Sequence, residues 1–272
     1  MQKLYSVSEK NLFWAVLGLF IFIPLYPKFP LFNVPGTYVA VRLEDFLIAA
    51  VVFMWFFSIF PKLRNFLNLT ATQLFLLFWV IGALSLFSGI FLTHTVVPHL
   101  GFLHYLRRIE TMVLFFVAFS AFKTINHVKI WLIVMFITSI IVIGYGFGQQ
   151  WLNFPVISTT NREFSKGLIL FLSPEARVNS TFAGHYDLAA YLAIFLTFTA
   201  SLIFFLKRIY LKAVILVSGF FGFLLLAMTA ARVAFVAAIF GISAVFFLVG
   251  QKKLILLIIL LALFALAVSP DL

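Results

Sequence analysis

Long apolar runs, most of them bounded by charged residues, follow one another along almost the whole chain, and they decide the fold class before any motif is considered. A helix that crosses the hydrocarbon core of a bilayer needs about 20 consecutive apolar residues. On that ruler the sequence predicts crossings over approximately 11–27, 43–60, 72–92, 105–122, 129–151, 185–206, 209–229, 231–249 and 253–269. Runs such as Leu254 to Val268 are apolar on every side and show no alternation of period two, which selects helices over barrel strands. The expected fold is therefore all-α, a polytopic membrane helix bundle of about nine transmembrane helices. With 64% hydrophobic and 10% charged residues, no hydrophilic stretch can hold a water-soluble core, and residues 1–272 read as a single transmembrane domain. The polar start, Met1 to Lys10, leads into the first run, but Pro24, Pro27 and Pro30 stand where a cleavage site needs small residues. A retained first helix is expected there.

The formal charge of +11 comes from basic residues placed singly or in pairs between apolar runs. That pattern argues against a nucleic-acid partner and for topology signals and contacts with membrane lipids. The absence of cysteine excludes a disulfide framework, thiolate ligands and a cysteine nucleophile. With a cytoplasmic N-terminus, the inner segments hold Lys3, Lys10, Lys62, Arg64, Lys123, Lys129, Lys207, Arg208, Lys212, Lys252 and Lys253. The outer segments hold Lys28, Arg42, Arg107, Arg108, Arg162, Lys166, Arg177 and Arg232. The modest inner excess selects this orientation. Residue type divides more sharply: lysine collects inside and arginine outside. Guanidinium is a planar, permanently charged fork suited to phosphate, so an outer arginine set fits a lipid-linked phosphate or pyrophosphate. Any one of these arginines taken alone is equally explained by snorkelling to headgroups.

The longest stretch between crossings, 153–184, falls on the outer side and carries Arg162, Glu163, Lys166, Glu175 and Arg177. Loops of this length are often functional, and the apolar patch Gly167 to Leu172 within it reads as an interfacial partial helix. Arg177 opens a segment with the neutral donors Asn179, Ser180 and Thr181, a Gly184 turn, and His185 and Asp187 where the next helix begins. A helix N-terminus attracts anions, so this arrangement can hold a phosphate; equally, Asp187 can cap the helix and His185 be a surface ring. Arg232 sits in a turn, Thr229-Ala230-Ala231-Arg232, so tight that the charge stays near the membrane. It requires a partner or an anionic ligand there, unless the turn simply lies at the outer surface. Around His104, the i,i+3 spacing of Arg107 and Glu110 predicts an ion pair on one helix face, with Arg108 beside it. Arg42, Glu44 and Asp45 at the start of the second helix are expected to extend the same polar layer.

Two other patterns carry less. His94, His99 and His104 recur every five residues, which does not align them on one helix face, and no carboxylates cluster with them, so no metal site is expected. Gly144, Gly146 and Gly148 come late in a helix with Gln149 and Gln150 after them, a pattern of close helix packing or a local bend and not of a nucleotide loop.

Arg177 to Leu192 with the helix that follows, and Leu224 to Val249 with its small-residue turn ending in Arg232, resemble the O-antigen ligase and polymerase superfamily. The Arg42-Leu-Glu-Asp45 and Leu106-Arg-Arg-Ile-Glu110 segments are similar to the family's early helices. The resemblance implies a membrane glycosyltransferase on the outer face of a bacterial inner membrane, working without a cofactor or metal. The glycan would pass from undecaprenyl pyrophosphate to a glycan or lipid acceptor in cell-surface polysaccharide assembly, lipopolysaccharide included. Arg177 and Arg232 match the positions that neutralise the leaving pyrophosphate; Arg107, Arg108, Glu110, His185 and Asp187 are candidates for substrate binding. Members have about a dozen helices and a large outer loop with a catalytic histidine, so this chain is expected to be the N-terminal portion of a longer protein. If it is complete, the base has to come from His185, Asp187 or Glu110. The alternative is a carrier or flippase for an anionic or lipid-linked substrate, with Glu110 coupling to protons; a non-catalytic scaffold is a third. The orientation is checked by a phosphatase reporter that works only outside the cytoplasm: fusion after Leu63 is expected to be inactive and fusion after Thr160 active.

Overall fold

The computed structural model describes residues 2–32, 34–35, 40–156, 171–172 and 176–268. These residues are nearly all-α. The helices are α1 (Gln2–Leu25), α2 (Leu43–Ile59), α3 (Leu63–Leu67), α4 (Thr70–Phe87), α5 (Pro98–Ala121), α6 (Ile125–Trp151), α7 (His185–Phe205), α8 (Ile209–Met228), α9 (Arg232–Leu248) and α10 (Lys252–Val268). One small sheet pairs β1 (Pro30–Phe32) with β2 (Val41–Arg42), which the reading of an all-α chain did not include.

A helix overlaps each apolar run that the sequence marks. Among the described residues, five stretches are long and apolar enough to cross a membrane: Leu43–Leu67, Thr70–Leu92, Ile125–Trp151, His185–Phe205 and Ile209–Met228. Asn11–Leu25 and Arg232–Leu248 are apolar but shorter. Several such helices suggest a membrane protein; crossings beyond the five rest on the sequence alone. The largest differences in boundary are at α1, which starts at Gln2 and not near residue 11, and at α5, which starts at Pro98 and not near residue 105. Proline fits the first helical position, where its missing N–H has no partner to lose. Residues 98–104, with His99 and His104, fall outside the crossing read over 105–122, yet they continue the same helix.

The chain divides into two compact units, Met1–Ile23 with Leu31–Val134, and Pro24–Pro30 with Met135–Leu272. In the first, Leu12, Val16 and Leu19 of α1 close against Ile48, Val51 and Trp55 of α2 and Phe116, Val117 and Ala121 of α5. Trp55 cannot bury its indole N–H without a partner, and it donates to Ser120 Oγ at 2.9 Å. Asp45 meets Arg107 and, further along both helices, Trp55 meets Ser120, so α2 and α5 run parallel.

In the second unit α7 is the central helix, with Leu188, Ala189, Leu192 and Phe195 almost wholly buried. The chain turns back after α7 and again after α8, which leaves the N-termini of α7 and α9 at the same end. The expectation of close packing at the glycines of α6 is met at Gly146, where an added Cβ would stand 2.8 Å from Leu225 Cδ1. At Gly144 it would meet nothing within 4 Å. Gly146→Ala is therefore expected to lower stability by about 1–3 kcal/mol through overpacking. Gly144→Ala should be neutral or gain up to about 1 kcal/mol in helix propensity. Thermal unfolding of the two variants in one detergent checks the contrast.

Candidate functional site

Two polar clusters interrupt the apolar helices, one in each unit. In the second unit, the segment before α7 is held from below by the last turn of α6. Gln149, 1% exposed, donates from Nε2 to the Ser180 carbonyl at 2.9 Å and accepts at Oε1 from the Ser180 N–H at 2.8 Å. One side-chain amide thus satisfies both backbone groups of a buried residue, replacing the partners a helix or strand would give. Ser180 also donates through Oγ to the Val142 carbonyl at 2.7 Å. These three bonds hold Ser180 at φ +50°, a left-handed conformation unusual for a residue with a Cβ. Asn179 Nδ2 donates to the Phe182 carbonyl at 2.8 Å, and Thr181 Oγ donates to the Pro24 carbonyl. The Pro24–Pro30 segment also carries Lys28, 3% exposed.

Next to this node, the Val178 N–H reaches the Met228 carbonyl at 3.4 Å, a long bond that joins the segment to the turn between α8 and α9. That turn is built on Thr229, which is fully buried and donates through Oγ1 to the Leu226 carbonyl at 2.6 Å. The same oxygen accepts from the Ala231 N–H at 3.4 Å, while Ala230 takes φ +51°. The small residues leave α9 to open directly on Arg232, which is exposed and has no ion pair among the described residues. Arg177 and Arg232 therefore flank a single backbone contact, although they lie far apart in sequence.

Arg177 is exposed and donates through Nη1 to His185 Nε2 at 3.3 Å, at the first position of α7. His185 stacks at a tilt against Tyr186, with centroids 4.1 Å apart. Asp187 lies exposed in the first turn, where its charge complements the helix dipole. It makes no capping hydrogen bond among the described residues; the N-cap is Gly184, which has no side chain to offer. The first turn of α7 stands at the same end as that of α9. Arg162, Glu163, Lys166 and Glu175, together with Gly167 to Leu170, lie outside the described residues.

In the first unit, Asp45 takes two bonds. Its Oδ2 accepts from the Arg42 N–H at 2.8 Å, capping α2, and its Oδ1 accepts from Arg107 Nη2 at 3.2 Å. Arg42 Nη1 pairs with Glu44 Oε1 at 2.9 Å. The expected pair of Arg107 with Glu110 is thus replaced by a pair between helices. Interhelical packing brings a capping carboxylate within reach of Arg107, while Glu110 faces a cavity of about 600 Å3 lined also by Asp45, His104 and Arg107. Arg42, Glu44 and Asp45 do extend the polar layer of α5, as the sequence predicts. Arg108 is exposed and takes no part in the cavity.

Sequence reasoning passed over Gln149 and Thr229. Gln149 follows a glycine pattern that drew attention to packing, and Thr229 looked like one more small turn residue. An amide pair, Gln149 and Gln150, at the end of an apolar helix was the available signal, since an amide has to bond something once buried. Compared with known proteins, the chain matches no family model, no curated protein and no solved structure.

Gln149→Leu leaves the Ser180 N–H and carbonyl without partners and is expected to cost about 2 kcal/mol or more. Amide hydrogen exchange should then quicken at Ser180 and Phe182 while the interior of α8 keeps its protection.

Proposed function

We propose that this chain is a membrane glycosyltransferase of the O-antigen ligase and polymerase kind. In this reading it works on the outer face of a bacterial inner membrane, in cell-surface polysaccharide assembly. It takes a glycan from undecaprenyl pyrophosphate and passes it to a hydroxyl on a glycan or lipid acceptor. The observation that carries the reading is the bond from Val178 to Met228, which joins the two arginine-bearing segments at the end where α7 and α9 both begin. A pyrophosphate at that end meets guanidinium forks and free helix N–H groups together.

In the reaction, the acceptor oxygen bonds to the anomeric carbon as the bond from that carbon to the pyrophosphate oxygen breaks. The electron pair leaves with the pyrophosphate, and Arg177 and Arg232 offset the charge that develops on it. The acceptor proton needs a base within hydrogen-bond reach. His185 is the nearest candidate, but its Nε2 lone pair is occupied by Arg177. An arginine that turns to the pyrophosphate releases that lone pair, so donor binding and activation of the acceptor are coupled in this scheme. Asp187 in the same helical turn favours the imidazolium that results.

Transfer in liposomes from a fluorescent undecaprenyl-pyrophosphate sugar tests the reading. Arg177→Ala and Arg232→Ala are each expected to lower turnover by roughly a hundredfold, the scale of losing one donor to a developing anion. Transfer that persists unchanged in both variants would rule out the arginine mechanism. Donor carried across the bilayer without transfer would move the assignment to a flippase.

A further inference from the structure

The cavity between α2 and α5 has a polar end and an apolar length. Where the start of α2 meets the middle of α5 it is lined by Asp45, Arg107 and Glu110; further along α2 it is lined by Ala49, Phe53 and Phe56. From Asp45 to Phe56 the helix rises about 16 Å, close to half of a hydrocarbon core about 30 Å thick. Phe53 is 65% and Phe56 45% exposed, so the cavity opens sideways along that length, toward the space lipid tails occupy. Its volume of about 600 Å3 lies within the range of small-molecule sites.

Charge selects the occupant. Asp45 and Arg107 neutralise one another at 3.2 Å, and Glu44 is matched by Arg42. Glu110 has no ion pair or hydrogen bond among the described residues and faces the cavity. A carboxylate beside so much apolar surface is unfavourable until a cation with N–H donors meets it. We propose that this cavity holds a bilayer lipid whose headgroup carries a primary ammonium, the ammonium donating to Glu110 and one acyl chain lying along Ala49, Phe53 and Phe56. An anionic headgroup would meet an unmatched negative charge. A quaternary ammonium has no N–H to donate. The same argument turns away a polyprenyl pyrophosphate, so the site is separate from the arginine cluster and stands whether or not the chain transfers glycans.

The test uses the full chain, purified in mild detergent and equilibrated with vesicles of equal phosphatidylethanolamine, phosphatidylcholine and phosphatidylglycerol with matched acyl chains. Retained lipid is read by native mass spectrometry. The wild type is expected to hold phosphatidylethanolamine over either rival by roughly tenfold, the scale of one charge-assisted hydrogen bond. Glu110→Gln should bring that ratio close to one. Ala49→Phe, which fills the apolar length from an exposed position, should lower retention of phosphatidylethanolamine with Glu110 intact. Equal retention of the three lipids by the wild type, a preference for phosphatidylglycerol, or a preference for phosphatidylethanolamine that survives Glu110→Gln would each overturn the proposal. The wild-type comparison and Ala49→Phe decide the matter even if Glu110→Gln does not fold.

Discussion

Every interruption of helix in an apolar protein frees backbone N–H and carbonyl groups that must find partners inside the chain, because surrounding hydrocarbon offers none. The break before α7 meets that demand with side chains. Gln149 closes both backbone groups of Ser180, Ser180 reaches back to the Val142 carbonyl, and Thr181 reaches Pro24. The turn between α8 and α9 meets it with Thr229. Both breaks hold a residue other than glycine at positive φ, Ser180 and Ala230, and in both the hydrogen bonds compensate for the strain. The exposed charges Arg177 and Arg232 stand within three residues of these hydrogen-bonded breaks.

The first unit solves a related problem with charge. The start of α2 needs a cap, and α5 brings an arginine that needs a counterion; Asp45 serves both. One carboxylate shared in this way leaves Glu110 over. Had Arg107 paired within its own helix, the carboxylate left without an ion pair would be Asp45, held as the cap of α2, and not Glu110. The choice of partner therefore decides the chemistry of the cavity, and it follows from the parallel register of α2 and α5 that Trp55 and Ser120 also enforce.

Much of the fold is legible in the sequence because hydrophobic length is a one-dimensional property. A run apolar on all sides is a helix wherever its neighbours stand, and helices stand at each such run. Boundaries were harder where a polar stretch continues a helix, as over residues 2–10 of α1, since a transfer-based ruler begins where charge ends. Contacts between helices were legible only in part. Local spacing predicted Arg107 to Glu110, but an i,i+3 pair on a helix is worth a few tenths of a kcal/mol, and a capping carboxylate on a neighbour competes with it successfully. The contact of the Arg177 segment with the turn before Arg232 depends on helix order in space, which spacing does not contain. Gln149 was hidden because its role lies in what it bonds 31 residues away.

The placement of the two arginines is itself an electrostatic argument. The N-terminus of a helix carries a partial positive charge, so a cation in its first turn is disfavoured, and stability alone would place Asp or Glu there. At α7 that preference is respected by Asp187, yet Arg177 lies within hydrogen-bond distance of the same turn. At α9 it is contravened outright, since Arg232 is the first helical residue, with no acidic residue in that turn. Two positively poled helix ends with two guanidinium groups make a concentration of positive potential that folding does not require. Such an arrangement becomes favourable when an anion of more than one charge sits across both ends.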